Sequence, residues 1–206
     1  MKAPLIGCLA SPERIGRPGD LFRYRTLARG DFRVRLENAA EILEEGPEAA
    51  RAFHLEAGIT CTAELEIRET RDGRFQAAPG TVRYLAVANP DRSWWNPVLA
   101  RDAAHSLAHH QIHFALVELA AHGLDAERES VLPTLRGSGN TAQQALDALQ
   151  EIWGKHFEEA RARLRDLHAR YDRETRWAED LPQQRAWAER IEGELVTRND
   201  APAAEP

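Results

Sequence analysis

The chain is poor in cysteine, in long apolar runs and in basic blocks, and each shortage closes off a class of protein. Its two cysteines, Cys8 and Cys61, are too few and too far apart to read as a disulfide framework or a metal knuckle. No apolar run approaches the ~20 residues that a membrane-crossing helix needs. Leu5-Ile6-Gly7-Cys8 has the form of a bacterial lipoprotein cleavage box, but the apolar stretch before it falls short of a signal-peptide core of roughly 7–15 residues. A cytoplasmic protein is therefore the simpler expectation, or a periplasmic or extracellular one if a leader precedes the sequence. With a formal charge of −6 and no cluster of Lys or Arg, a nucleic-acid partner is disfavoured. No internal repeat is visible.

What is present suits one globular unit. The 206 residues are 43% hydrophobic and 29% charged, enough for a single core. Residues 1–20 are expected to be a flexible N-terminus, 21–196 one domain, and 197–206 a disordered tail. Phe32, Val34 and Leu36 alternate with arginines in a half-buried strand pattern. A short helix fits between Ala39 and Leu55, broken at Gly46-Pro47. Cys61, Ala63, Leu65 and Ile67 alternate with polar residues, Asp72-Gly73 is a tight-turn dipeptide, and Thr81–Ala88 supplies the partner strand.

The second half reads as helices. Asn96-Pro97 opens one and Gly123 closes it, with Ala103, Leu107, His110, Phe114, Val117 and Ala121 as its apolar stripe. After a loop at Arg136–Gly139, Asn140 caps a second helix running to about Glu179, with a bend at Gly154. Its face is Leu149, Trp153, His156, Ala160, Leu164, Leu167 and Tyr171. Pro182 starts a third. Strands followed by helices predict an α+β fold.

Four of the eight histidines lie within nine residues: His105, His109, His110 and His113. Residues four apart share a helix face, so His109 and His113 can turn toward one ion, the spacing used in H-E-x-x-H zinc proteases. His105 extends the row, but three such positions span roughly 12 Å along a helix. One ion cannot take all three, and His105–His109 is the alternative pair.

The residues from His109 to Phe114 (His-His-Gln-Ile-His-Phe), followed by Glu118, resemble the H-E-Q-G-H-F segment of a bacterial family of secreted zinc-dependent proteases of unknown function. That family's second hallmark is Y-D-x-E-T-x-H-G followed by a tryptophan. Tyr171-Asp172-Arg173-Glu174-Thr175-Arg176-Trp177-Ala178 matches it, with Gln184, Trp187 and Ile191 in the expected places. Asp31-Phe32, the strand near Thr60 and Ser93-Trp94 fit the same order, so the resemblance runs from about Leu27 to Leu195. It implies a zincin-like fold: a small antiparallel sheet, a histidine-bearing helix and a long second helix. It also implies zinc as cofactor, held by His109 and His113.

Two departures decide the functional expectation. His110 stands at the family's catalytic glutamate, and Trp177 stands at its third ligand histidine. A peptidase zinc takes three protein ligands and a water, so proteolysis is not expected. The expected function is a degenerate, non-proteolytic relative with a binding or scaffolding role, its partner an unknown polypeptide. The alternative is a metal-dependent hydrolase whose rebuilt site uses His110 as base or ligand. A third reading is a helical module that dimerises through the Leu149–Tyr171 stripe. Replacement ligands are available in His105, His110, His168, Asp172 and Glu174; without metal, the imidazoles bond to the facing helix. His110 is expected to be a buried histidine satisfied by Asp172 or Glu174. Trp177 is expected to fill the vacated ligand space, otherwise to be an exposed helix-end aromatic. The tryptophans of Ser93-Trp94-Trp95 are expected to pack sheet against helices.

Overall fold

A computed structural model describes residues 2–6, 20–34, 53–96 and 103–199. The fold is α+β, as expected. Five antiparallel strands form one sheet: β1 (Lys2–Ile6), β2 (Phe22–Arg23), β3 (Phe53–Glu69), β4 (Phe75–Trp95) and β5 (Gly137–Gly139). The path is β1-β3-β4-β2, and β5 pairs with the other end of β4. Among the described residues three α-helices follow: α1 (Ala103–Val131), α2 (Ala142–Glu174) and α3 (Leu181–Asn199).

The β3–β4 hairpin is the spine. It turns at Thr70–Arg74, where Gly73 takes a φ of 76° that a tight turn requires. Ile59, Cys61, Ala63, Leu65 and Ile67 are buried while the residues between them are half-buried or exposed, so one face of β3 meets the helices. The β1 strand replaces the flexible N-terminus expected at its position. It lies antiparallel to β3 with Ile6 opposite Thr62. Cys61 is disulfide-bonded, which corrects the reading from cysteine spacing.

Helix α1 packs on the sheet through β3 and β4 and also meets α2 and α3. Phe114, Val117 and Ala121 are buried as the stripe predicts, but so are Ile112, Ala115, Leu116, Leu119 and Leu124. A helix apolar on most sides belongs in the interior. It passes through Gly123, the expected stop, and ends at Val131 before a 3-10 turn that contains Pro133.

Several local expectations are revised. Arg136–Gly139 is not only a loop, because Gly137–Gly139 pair with Phe75–Ala77 of β4. The cap of α2 is Thr141, not Asn140. The Thr141 hydroxyl accepts the Gln144 N–H at 3.2 Å, and the Gln144 amide oxygen accepts the Asn140 N–H at 2.9 Å. Phe157 rather than His156 fills the buried face of α2. That face packs on the sheet, where the Trp153 indole N–H donates to the Tyr84 hydroxyl at 3.2 Å. The stripe is used internally, so it is not the free dimerisation surface considered above.

Helix α2 ends at Glu174, short of Glu179. Arg176, Trp177 and Ala178 take φ values of 48°, 56° and 75°, and the Trp177 N–H closes the turn on the Asp172 carbonyl at 2.9 Å. The Asp180 carboxylate then caps α3 through the Gln183 N–H at 3.1 Å, with Pro182 in the first turn. Helix α3 reaches Asn199, so part of the expected tail is helical. Val34 makes an isolated bridge to Trp94 rather than a strand. Leu36, residues 39–52 of the helix expected between Ala39 and Leu55, and the Pro97 cap lie outside the described residues; the remaining stretch, Phe53 to Leu55, is the start of β3 instead.

Candidate metal centre

Helices α1 and α2 bring three side chains to one point. One α1 turn projects His109 and His113 from the same face, and α2 supplies Asp172 opposite them. The Nε2 atoms of His109 and His113 are 3.1 Å apart, and Asp172 Oδ1 lies 3.0 Å from the first and 2.8 Å from the second. The three groups together can hold a metal ion. A tetrahedral site with bonds of about 2.0–2.1 Å separates its ligand atoms by roughly 3.3 Å. The observed triangle needs only a few tenths of an ångström of opening to meet that.

Burial and charge suit a cation. His109 is 5% exposed and Asp172 8%. Burial alone would raise the Asp172 carboxyl, but hydrogen bonds from His109 and His113 outweigh it and hold the group well below the usual carboxylate range. Burial pushes His109 down, so its imidazole is neutral. The Asp172 carboxylate beside the neutral His109 imidazole is a donor pair from which a cation displaces no acidic proton. Tyr171 supports the arrangement: its ring stacks on His109 at 4.6 Å and 24°, and burial pushes its phenol up. One atom counts against tight binding. Nδ1 of His109 is buried with no hydrogen-bond partner. When Nε2 serves a cation, that Nδ1 carries the proton and becomes an orphan donor costing about 1–3 kcal/mol.

The other candidates take different places. His105 Nε2 meets the Ala178 carbonyl and holds the turn after α2, so it does not join the triangle. Glu174 faces α3, accepting from Arg170 at 2.7 Å and from the Trp187 indole at 2.9 Å. His168 lies behind His113, with the two Nδ1 atoms 2.6 Å apart. His110 is satisfied by neither carboxylate expected for it: its Nδ1–H donates to the Ser106 carbonyl at 2.9 Å. Burial, with His113 nearby, pushes His110 down to about 3. Its ring sits against Phe32 and Phe53.

The triangle opens on a cleft of about 770 Å³ lined by His54, His110, His113, His168, Asp172, Arg173, Arg176 and Trp177, among others. Trp177 does not fill the ligand space. It is 54% exposed, because the left-handed turn carries it to the rim. Sequence reasoning missed His54. It stands on β3, stacked on Trp94 at 4.0 Å, and no spacing signal connects it to the α1 cluster. At the end of the sheet Trp94 stacks on His54 and Trp95 on Phe53. Gln111 clamps the segment between β2 and β3: its side-chain oxygen accepts the Leu27 N–H at 2.7 Å.

No family model, curated protein or solved structure matches the chain. Among the described residues no helix is long and apolar enough to cross a membrane.

Proposed function

We propose that this chain is a zincin-like protein that binds zinc through His109, His113 and Asp172, does not hydrolyse peptides, and uses the centre and its cleft for binding or scaffolding. The observation that carries the reading is the near-equilateral triangle of two imidazole nitrogens and one carboxylate oxygen, with sides of 2.8–3.1 Å. Asp172 takes the ligand role that the resembled family gives to the histidine at the Trp177 position. The resemblance rests on motif residues, and one backbone detail supports it. Ala178 takes a φ of 75°, where glycine is the ordinary occupant, and the family motif carries glycine at that position.

The same geometry argues against peptide cleavage. Bound zinc would supply Lewis-acid polarisation and an acidified water. A general base must then accept a proton near neutral pH. His110, at the base position, has a pKa of about 3 and its Nδ1–H is committed to Ser106. A base that weak offers little driving force. The rim of Arg173, Arg176 and Trp177 suits a polypeptide segment rather than a buried small molecule.

The test is cleavage of casein and a peptide library by tag-free, zinc-supplemented protein. The reading predicts no cleavage above a His109→Ala control. Cleavage that a chelator stops and His109→Ala abolishes would replace it with the alternative, a metal-dependent hydrolase using His110.

A further inference from the structure

His168 is absent from the triangle, yet its contact with His113 is shorter than any of the triangle's sides. Its Nδ1 lies 2.6 Å from His113 Nδ1, and the two ring centroids are 4.8 Å apart at 23°. The centroid separation falls only just short of the nitrogen–nitrogen distance plus two ring radii, the largest value this contact allows. The nitrogens therefore lie on the line between the rings, head to head, and the contact is an in-plane hydrogen bond rather than a face-to-face stack. Two imidazole nitrogens at that distance share one proton: two protons repel, and so do two lone pairs.

The far side of His113 fixes where that proton belongs. Without a cation, His113 Nε2 lies 2.8 Å from the Asp172 carboxylate oxygen, so it must carry a hydrogen. Nδ1 is then bare, and His168 donates to it. With a cation at Nε2, that nitrogen must present its lone pair, and the proton of His113 moves to Nδ1. His168 must then accept and carry its own proton on Nε2. Neither ring gains or loses a proton in the exchange, and both keep the bond between them. His109 has no equivalent, since its Nδ1 is unpartnered.

We propose that His168 is a positioning residue of the metal centre: by exchanging donor and acceptor roles with His113 it lets that ligand switch tautomer when a cation replaces the proton at Nε2. The proposal rests on the zinc-binding reading above. Partners of this kind typically change metal affinity by about 10–100-fold.

The experiment measures zinc affinity by competition with a chromophoric chelator, and the His113 tautomer by 15N-detected imidazole NMR. It compares wild type, His168→Leu and His168→Asn. Asparagine places an amide oxygen or nitrogen near the Nδ1 position and can play either role; leucine can play neither. The expected result is a roughly 10–100-fold loss for His168→Leu and recovery of most of it in His168→Asn. In wild type the His113 proton should move from Nε2 to Nδ1 on zinc addition. Equal affinity of wild type and His168→Leu, both folded by circular dichroism, overturns this role and leaves the metal site standing. A wild type that takes up no zinc overturns the site itself, and this role with it.

Discussion

Two glycines associated with α2 are predicted to respond to the same substitution with opposite signs. Gly137 lies on β5 directly beneath the helix. A Cβ built there stands 2.0 Å from the Ala145 carbonyl oxygen, 2.3 Å from Leu149 N and 2.9 Å from Leu149 Cα. Residues 145 and 149 are four apart, so the first two atoms are acceptor and donor of one helical hydrogen bond. The methyl would wedge into that bond. Overpacking a well-filled core costs typically 1–3 kcal/mol, and an opened, buried backbone pair adds about 1–3 kcal/mol. Gly137→Ala should therefore destabilise by about 3 kcal/mol or more, although strand propensity alone would make alanine better by roughly 0.5–1 kcal/mol. Gly154 lies within α2 and has nothing within 4 Å of its virtual Cβ. Gly154→Ala should stabilise by about 1 kcal/mol. Urea unfolding followed by tryptophan fluorescence, comparing midpoints at constant slope, reads both. A Gly137→Ala midpoint at or above wild type would refute the close approach of α2 to β5.

Other consequences are as direct. His110 and His168 each have a pKa of about 3 in the fold, against roughly 6.5 when unfolded. The unfolded chain binds protons first, so stability is full above about pH 6.5 and declines as pH falls toward 3, by about 2 kcal/mol per histidine at pH 5. Depressed Asp172 adds a loss below about pH 4; urea midpoints that stay flat from pH 8 to 4 would contradict this. Tyr84→Phe leaves the buried Trp153 indole N–H without its acceptor and should cost about 1–3 kcal/mol in the same assay. His105→Ala should lower the melting temperature by loosening the turn at Ala178 while leaving zinc uptake unchanged; loss of zinc would return His105 to the ligand set.

Much of this arrangement was legible because periodicity reports burial. The alternation through Cys61–Ile67 and the Asp72-Gly73 turn locate the central hairpin, and the spacing of His109 and His113 predicts their shared face. What escaped depends on contacts distant in sequence. Asp172 was one of five equal candidates, since only the crossing of α1 and α2 separates it from Glu174, two residues on but turned to Trp187. The strand at Gly137–Gly139 looked like a loop because its glycines answer to a helix laid across them, not to a pleat pattern. His54 reaches the cleft from a strand whose register no local motif encodes. Trp177 looked like a plug until three left-handed residues carried it outward. The capping pair Thr141 and Gln144 was readable and displaced by one residue, because Asn140 is as good a cap by composition.

The central claim is that His109, His113 and Asp172 form one cation site. Titration of zinc into metal-free, tag-free protein tests it most directly, with Asp172→Ala and Glu174→Ala alongside. The account predicts one equivalent bound by wild type and by Glu174→Ala, and none by folded Asp172→Ala. Stoichiometric zinc retained by Asp172→Ala, or none taken up by wild type, would contradict it.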